Sequence, residues 1–204
     1  MSICWSCEAQ VPEGAAYCPS CGHSQTQRNT SPIFVVDSTT ELFNAVFVKA
    51  IIGQEANRAQ RYKRPLSVLL VEVDHAEHIH NDLGISQLNG LLREMAQTLV
   101  AAVRDTDTVG FLDSEGPPHF AIVLPETDAS GAILAADKVR RSVASHDFQA
   151  GGQWTRLTVS AGAATVNLEK IGQQDLLGEA YRALQEGKAS GGGTNRTFAT
   201  AQVQ

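Results

Sequence analysis

Apolar positions recur at helical spacing in four stretches of this chain and collect into short unbroken runs between them. Leu42, Phe43, Val46, Phe47, Ala50 and Ile51 predict a helix over about 39–61. Ser38-Thr39-Thr40-Glu41 stands in front of them with the spacing of a capping box. After Pro65, the run 66–73 is largely apolar and β-rich, as a strand buried on both faces would be. Leu88, Leu91, Leu92, Met95, Leu99 and Val103 form one stripe of a second helix over 85–103. Two short strands, 108–112 and 120–124, flank a loop over 113–119 rich in turn formers. A third helix over 128–145, a strand over 157–166, a fourth helix over 173–188 and a last strand near 196–198 complete the pattern. The order predicts an α/β domain with one mixed central sheet flanked by helices.

The first 33 residues do not share this pattern. All four cysteines lie there, as Cys4-Trp5-Ser6-Cys7 and Cys18-Pro19-Ser20-Cys21. Each C-x-x-C turn offers two thiolates from one tight loop, and four thiolates suit a tetrahedral Zn²⁺ ion. A segment this short has almost no core, so metal binding would supply most of its folding energy. With four thiolate ligands no position is left for water, so the zinc would be structural. A pair of disulfides is the alternative. It is disfavoured because the chain shows no export signal and cytosolic thiols stay reduced. The expected organisation is a metal-binding segment over 1–23, a polar linker over 24–33, the α/β domain over 34–199 and a tail over 200–204.

Charge and composition narrow the function classes. The chain has 204 residues, 16 basic and 22 acidic, for a formal charge of −6. No basic residue lies between Cys4 and Cys21. A nucleic-acid reader needs a basic footprint, so this argues against such a partner. The apolar runs are too short to span a bilayer, and no membrane role is expected. The expected location is cytoplasmic.

The cysteine segment resembles a short zinc ribbon, with Val11-Pro12-Glu13-Gly14-Ala15-Ala16-Tyr17 fitting that family before the second pair. The longer part resembles the GGDEF domains of diguanylate cyclases over about 34–198. Asp37, Thr40, Leu42 and Asn44 resemble that family's opening D-x-x-T-x-L-x-N. Leu66 to His75 resembles its first strand, Phe120 to Pro125 the strand after its signature, and Leu157 to Gly162 a later block. Ala183, Leu184, Lys188, Asn195 and Arg196 resemble the last one. The resemblance implies a nucleotidyl cyclase-type fold. In that family two GTP molecules are joined into cyclic di-GMP with two metal ions.

The chain departs from the family where the chemistry is done. Pro118 and His119 stand where the signature loop carries two acidic residues, Phe120 keeps its last place, and the loop is about three residues longer. Neither proline nor histidine is an anionic oxygen ligand for a hard cation. Asp113 and Glu115 are acidic, but Pro117-Pro118 separates them from Phe120. Glu72 replaces the first-strand metal Asp. His80 and Asn89 stand at the guanine-binding Asn and Asp. Lys188 persists at a phosphate-contacting position, while the Arg after it gives way to Gly191-Gly192-Gly193, read as a flexible turn. The expected protein is therefore a degenerate, non-catalytic GGDEF domain.

Arg104-Asp105-Thr106-Asp107 matches the family's inhibitory R-x-x-D motif at the right distance from the loop. The resemblance implies that Arg104 and Asp107 bind cyclic di-GMP, with Lys138 where the family often has a further Arg. An Arg fork suits the guanine O6/N7 edge or phosphate, and an Asp the donor edge. Asp107 could instead simply cap a turn. The expected function is a cyclic di-GMP receptor that signals through an unidentified protein partner, with a homodimer admitted. A ligand-free scaffold with vestigial nucleotide sites is the rival. His75, His78 and His80 read as exposed turn residues rather than a metal site, and Trp5 and Trp154 as packing residues.

Overall fold

The computed structural model describes residues 2–4, 9–20, 35–112, 117–169, 175–189 and 197–199. The chain divides into two compact units, Met1–Ile33 and Phe34–Gln204. In the first, strands β1 (Ser2–Ile3) and β2 (Gln10–Val11) pair antiparallel. Cys4, Val11 and Cys18 form its small buried cluster, with Ala9 and Ala15 packed against it. The linker, the glycine run 191–193, Asp113, Glu115, Trp5 and the tail lie outside the described residues.

The second unit is built on β3 (Leu66–Val73), whose eight residues are all buried. Its neighbours in a five-stranded sheet are β5 (His119–Pro125) and β8 (Val159–Thr165). The edges are β4 (Thr108–Leu112) and β9 (Thr197–Ala199). All pairings are antiparallel except β8 with β9. The period-2 alternation of a strand sends successive side chains to opposite faces. Leu69, Val71 and Val73 join one core with α3 (Ile85–Ala102) and α4 (Ala129–Ser145). Val68 and Leu70 join another with α1 (Ala45–Tyr62) and α5 (Leu176–Ala189). This is the mixed α/β sheet with flanking helices that the pattern predicts. Among the described residues, no helix is long and apolar enough to cross a membrane.

Three local expectations differ from the structure. Helix α1 starts at Ala45, and its N-cap is Asn44, whose side chain accepts from the Phe47 amide at 3.0 Å. The expected capping box does not form: the Glu41 amide it needs donates instead to the Asp37 carbonyl at 2.9 Å, while Asp37 Oδ1 accepts from the amides of Thr39 and Thr40 at 3.1 and 2.7 Å. Glu41 then turns left-handed at φ 62°. The histidines lie partly on a helix: His75 precedes α2 (Ala76–Leu83), which carries His78 and His80 exposed. So short a helix has too few apolar positions to show a stripe.

The third difference is a hairpin of β6 (Asp147–Ala150) and β7 (Gln153–Arg156), turned by Gly151 and Gly152 at φ 58° and 81°. It is tied to α3 at its side: the Gln149 and Gly151 amides donate to Glu94 Oε2 and Gln87 Oε1, at 3.0 and 2.9 Å. Phe148 and Ala150 are buried, but Trp154 is 70% exposed and does not pack into a core. Alternation on a two-stranded ribbon leaves one face in solvent, and Trp154 is on it.

Helix α5 comes unusually close to the sheet at Gly162. A Cβ added there would lie 2.1 Å from the Ala180 carbonyl oxygen and 2.7 Å from the Leu184 amide nitrogen. Both are backbone atoms and cannot rotate away. Gly162→Ala is expected to destabilise the domain by about 3 kcal/mol. Asn44→Ala, which removes one cap, is expected to cost about 1 kcal/mol. Denaturant unfolding followed by circular dichroism measures both.

Candidate functional site

The close approach at Gly162 decides what α5 brings to the sheet. Gly162 pairs with Leu70, and Ser160 with Glu72, two residues further along β3. Leu184 sits against Gly162, so Lys188, one helical turn later, lies over the end of β3. There its ammonium pairs with Glu72 Oε1. The other Glu72 oxygen, Oε2, is 3.2 Å from His119 Nε2. His119 is the first residue of β5 and the cross-strand partner of Glu72. The Glu72 side chain is 6% exposed and that of His119 10%. The Tyr181 ring meets His119 edge-on with centroids 6.0 Å apart.

Asp74, two residues on, shares the Glu72 face and is also buried. Its Oδ2 accepts from Thr158 Oγ1 at 2.7 Å and its Oδ1 from Ser160 Oγ at 2.8 Å. All four carboxylate oxygens at this end of β3 therefore have partners from the chain itself. Burial alone raises the pKa of Glu72. The hydrogen bonds from His119 and Lys188, with the positive charge of Lys188, outweigh it and hold the carboxyl below the ordinary glutamate range.

A second polar feature lies where α3 ends. The Arg104 amide donates to Asp107 Oδ2 at 2.9 Å, and the Asp107 amide to the Arg104 carbonyl at 2.9 Å. This reciprocal pair closes a four-residue turn just before β4. Asp107 Oδ1 is buried and, among the described residues, has no hydrogen-bond partner. Arg104 is exposed, and among the described residues its guanidinium pairs with no carboxylate. Lys138 is exposed on α4, which packs against α3.

The family model "Diguanylate cyclase, GGDEF domain" matches residues 34–194, and a zinc-ribbon domain model matches residues 3–25. The chain belongs to the GGDEF domain family. Diguanylate cyclase A of Treponema denticola is 27% identical over 66% of this chain and 36% of its own length. Diguanylate cyclase DosC of Escherichia coli is 31% identical over 65% of the chain and 28% of its own length. The chain thus spans about a third of these curated relatives. Among solved structures, the FimX GGDEF domain of Pseudomonas aeruginosa superposes with a TM-score of 0.74 at 18% identity, covering 82% of this chain and all of that one. The DgcB coiled coil and GGDEF domain of Caulobacter crescentus, solved with c-di-GMP, gives 0.72 at 20% identity, covering 81% and 85%. At these identities the likeness is one of fold.

Within this GGDEF domain, Glu72, His119 and Lys188 come together, although they are 47 and 116 residues from Glu72 in the chain. The sequence places all three at nucleotide or metal positions and does not reveal that they pair with one another. The lysine expected to meet phosphate is spent on Glu72. His80 is exposed on α2 and Asn89 half-buried on α3. In the ribbon, Cys4 and Cys18 are buried in one cluster, while Cys7 and Cys21 lie outside the described residues. Among the described residues, no group of three or more His, Cys, Asp or Glu side chains is arranged to hold a metal ion.

The lowered Glu72 pKa has a sign. A carboxyl whose folded pKa lies below its unfolded value stabilises the fold at pH above the unfolded value, roughly 4.3. That contribution fades as pH falls through the folded value. Glu72→Gln is therefore expected to flatten the loss of stability below about pH 4 relative to wild type. Parallel thermal melts of both proteins across acid pH measure the difference.

Proposed function

We propose that this chain is a non-catalytic GGDEF protein that binds cyclic di-GMP at the Arg104–Asp107 turn and acts through a protein partner. The observation that carries the reading is the buried Asp107 Oδ1, unpartnered among the described residues, on the same four-residue turn as the exposed Arg104. A buried acceptor without a donor is costly, and a ligand N–H would satisfy it. Guanine presents such donors on its N1 and 2-amino edge. Arg104 would address a guanine O6/N7 edge or a phosphate, and Lys138 a phosphate. The c-di-GMP complex of DgcB lends family context to this ligand.

Loss of cyclase activity is supported by Pro118 and His119 in the signature loop and by the engagement of Glu72 with Lys188 and His119. The response would then pass through a protein partner. SiaD of Pseudomonas aeruginosa, a fold relative, was solved with its activator SiaC. Ligand shifts such an association only as far as it prefers one state. Cys4, Cys7, Cys18 and Cys21 would hold one structural Zn²⁺, and the protein would work in the cytoplasm. The rival scaffold reading draws on Asp107 Oδ2, which already closes its own turn and gives the residue a purely structural use.

Calorimetric titration of cyclic di-GMP is expected to show saturable binding that Arg104→Ala removes. No heat from folded, zinc-loaded protein would favour the scaffold. GTP with Mg²⁺ is expected to give no cyclic di-GMP; turnover would overturn the non-catalytic reading. Elemental analysis is expected to find one zinc per chain, lost in Cys18→Ser.

A further inference from the structure

Diguanylate cyclases of this family work with divalent metal, yet the residues at the end of β3 do not fit such an ion. Magnesium and manganese ask for several oxygen ligands in a near-octahedral set. Here both Glu72 oxygens are engaged, by the Lys188 ammonium and the His119 ring. Both Asp74 oxygens accept from hydroxyls, of Thr158 and Ser160. A divalent ion reaching Glu72 would have to displace an ammonium and then sit beside it, two like charges at short range in a buried site.

We infer that the Lys188 ammonium and the His119 ring occupy both oxygens of Glu72, close this end of β3 to divalent ions and tie β3, β5 and α5 together in their place. The three groups come from three elements, and each pairing is fixed by backbone geometry. Glu72 and His119 face each other across the β3–β5 ladder. Lys188 is delivered by the contact of α5 on Gly162. These three residues are distinct from the Arg104–Asp107 turn, so the inference stands whether or not that turn binds a nucleotide. It deepens the non-catalytic reading by naming what fills the metal's role.

The test uses the zinc-loaded full chain. Mn²⁺ is titrated into wild type and Glu72→Gln, with free Mn²⁺ read by electron paramagnetic resonance. Wild type is expected to take up no more Mn²⁺ than Glu72→Gln, even at millimolar concentration. Saturable uptake by wild type that Glu72→Gln abolishes would overturn the inference. Thermal melts supply a second readout that needs no metal. Lys188→Met leaves a buried carboxylate with one cation fewer and is expected to lower the melting temperature by several degrees. Adding Glu72→Gln to it removes the uncompensated charge and is expected to recover part of that loss. A double variant that melts no higher than Lys188→Met would show that Lys188 does not act through Glu72, and the inference would fail.

Discussion

A carboxylate at the end of a strand buried on both faces is the constraint around which this domain is arranged. β3 is apolar but for Ser67 over its first six residues and then presents Glu72 in a nearly water-free position. An unpaired charge there would be costly enough to prevent the strand from being central. The Lys188 ammonium and a hydrogen bond with the His119 ring remove the problem, and each requires a particular neighbour. His119 requires β5 in its observed register. Lys188 requires α5 to descend onto β8, which the missing side chain of Gly162 permits. The register of β5 and the seating of α5 thus both serve the polar end of the sheet.

The two polar features sit at opposite ends of the same hairpin. β4 leaves directly from the Arg104–Asp107 turn, and its last residue, Leu112, pairs with His119. They differ in how far the chain has satisfied them. At Glu72 and Asp74 the protein supplies a partner for every carboxylate oxygen. At Asp107 it supplies a partner for one oxygen and leaves the other buried and bare.

Much of the scaffold was legible because its signals are local and long. The largely apolar run from Leu66 to Val73 marks a central strand, and the helices expected over 85–103 and 128–145 agree with α3 and α4 to within a residue or so. What was misread depends on competition or brevity. Asp37 outbid Ser38 for the amides of the next turn, so α1 waited for Asn44. α2 has too few turns to write a stripe. The β6–β7 ribbon was hidden in its four-residue strands, although Gly151-Gly152 marks its turn. At the site, the resemblance located Glu72, His119 and Lys188 individually. Their mutual pairing spans three elements, and no spacing in the chain encodes it.

The exposed Trp154 has a practical consequence. Its indole rides on a ribbon tied to α3 through Glu94 and Gln87, yet it faces solvent and stays out of both cores. Its fluorescence should therefore report on the seating of that ribbon more than on the packing of the sheet. Signals from the indole and from the backbone need not change together when the domain comes apart, so coincidence between them becomes information about cooperativity rather than something to assume.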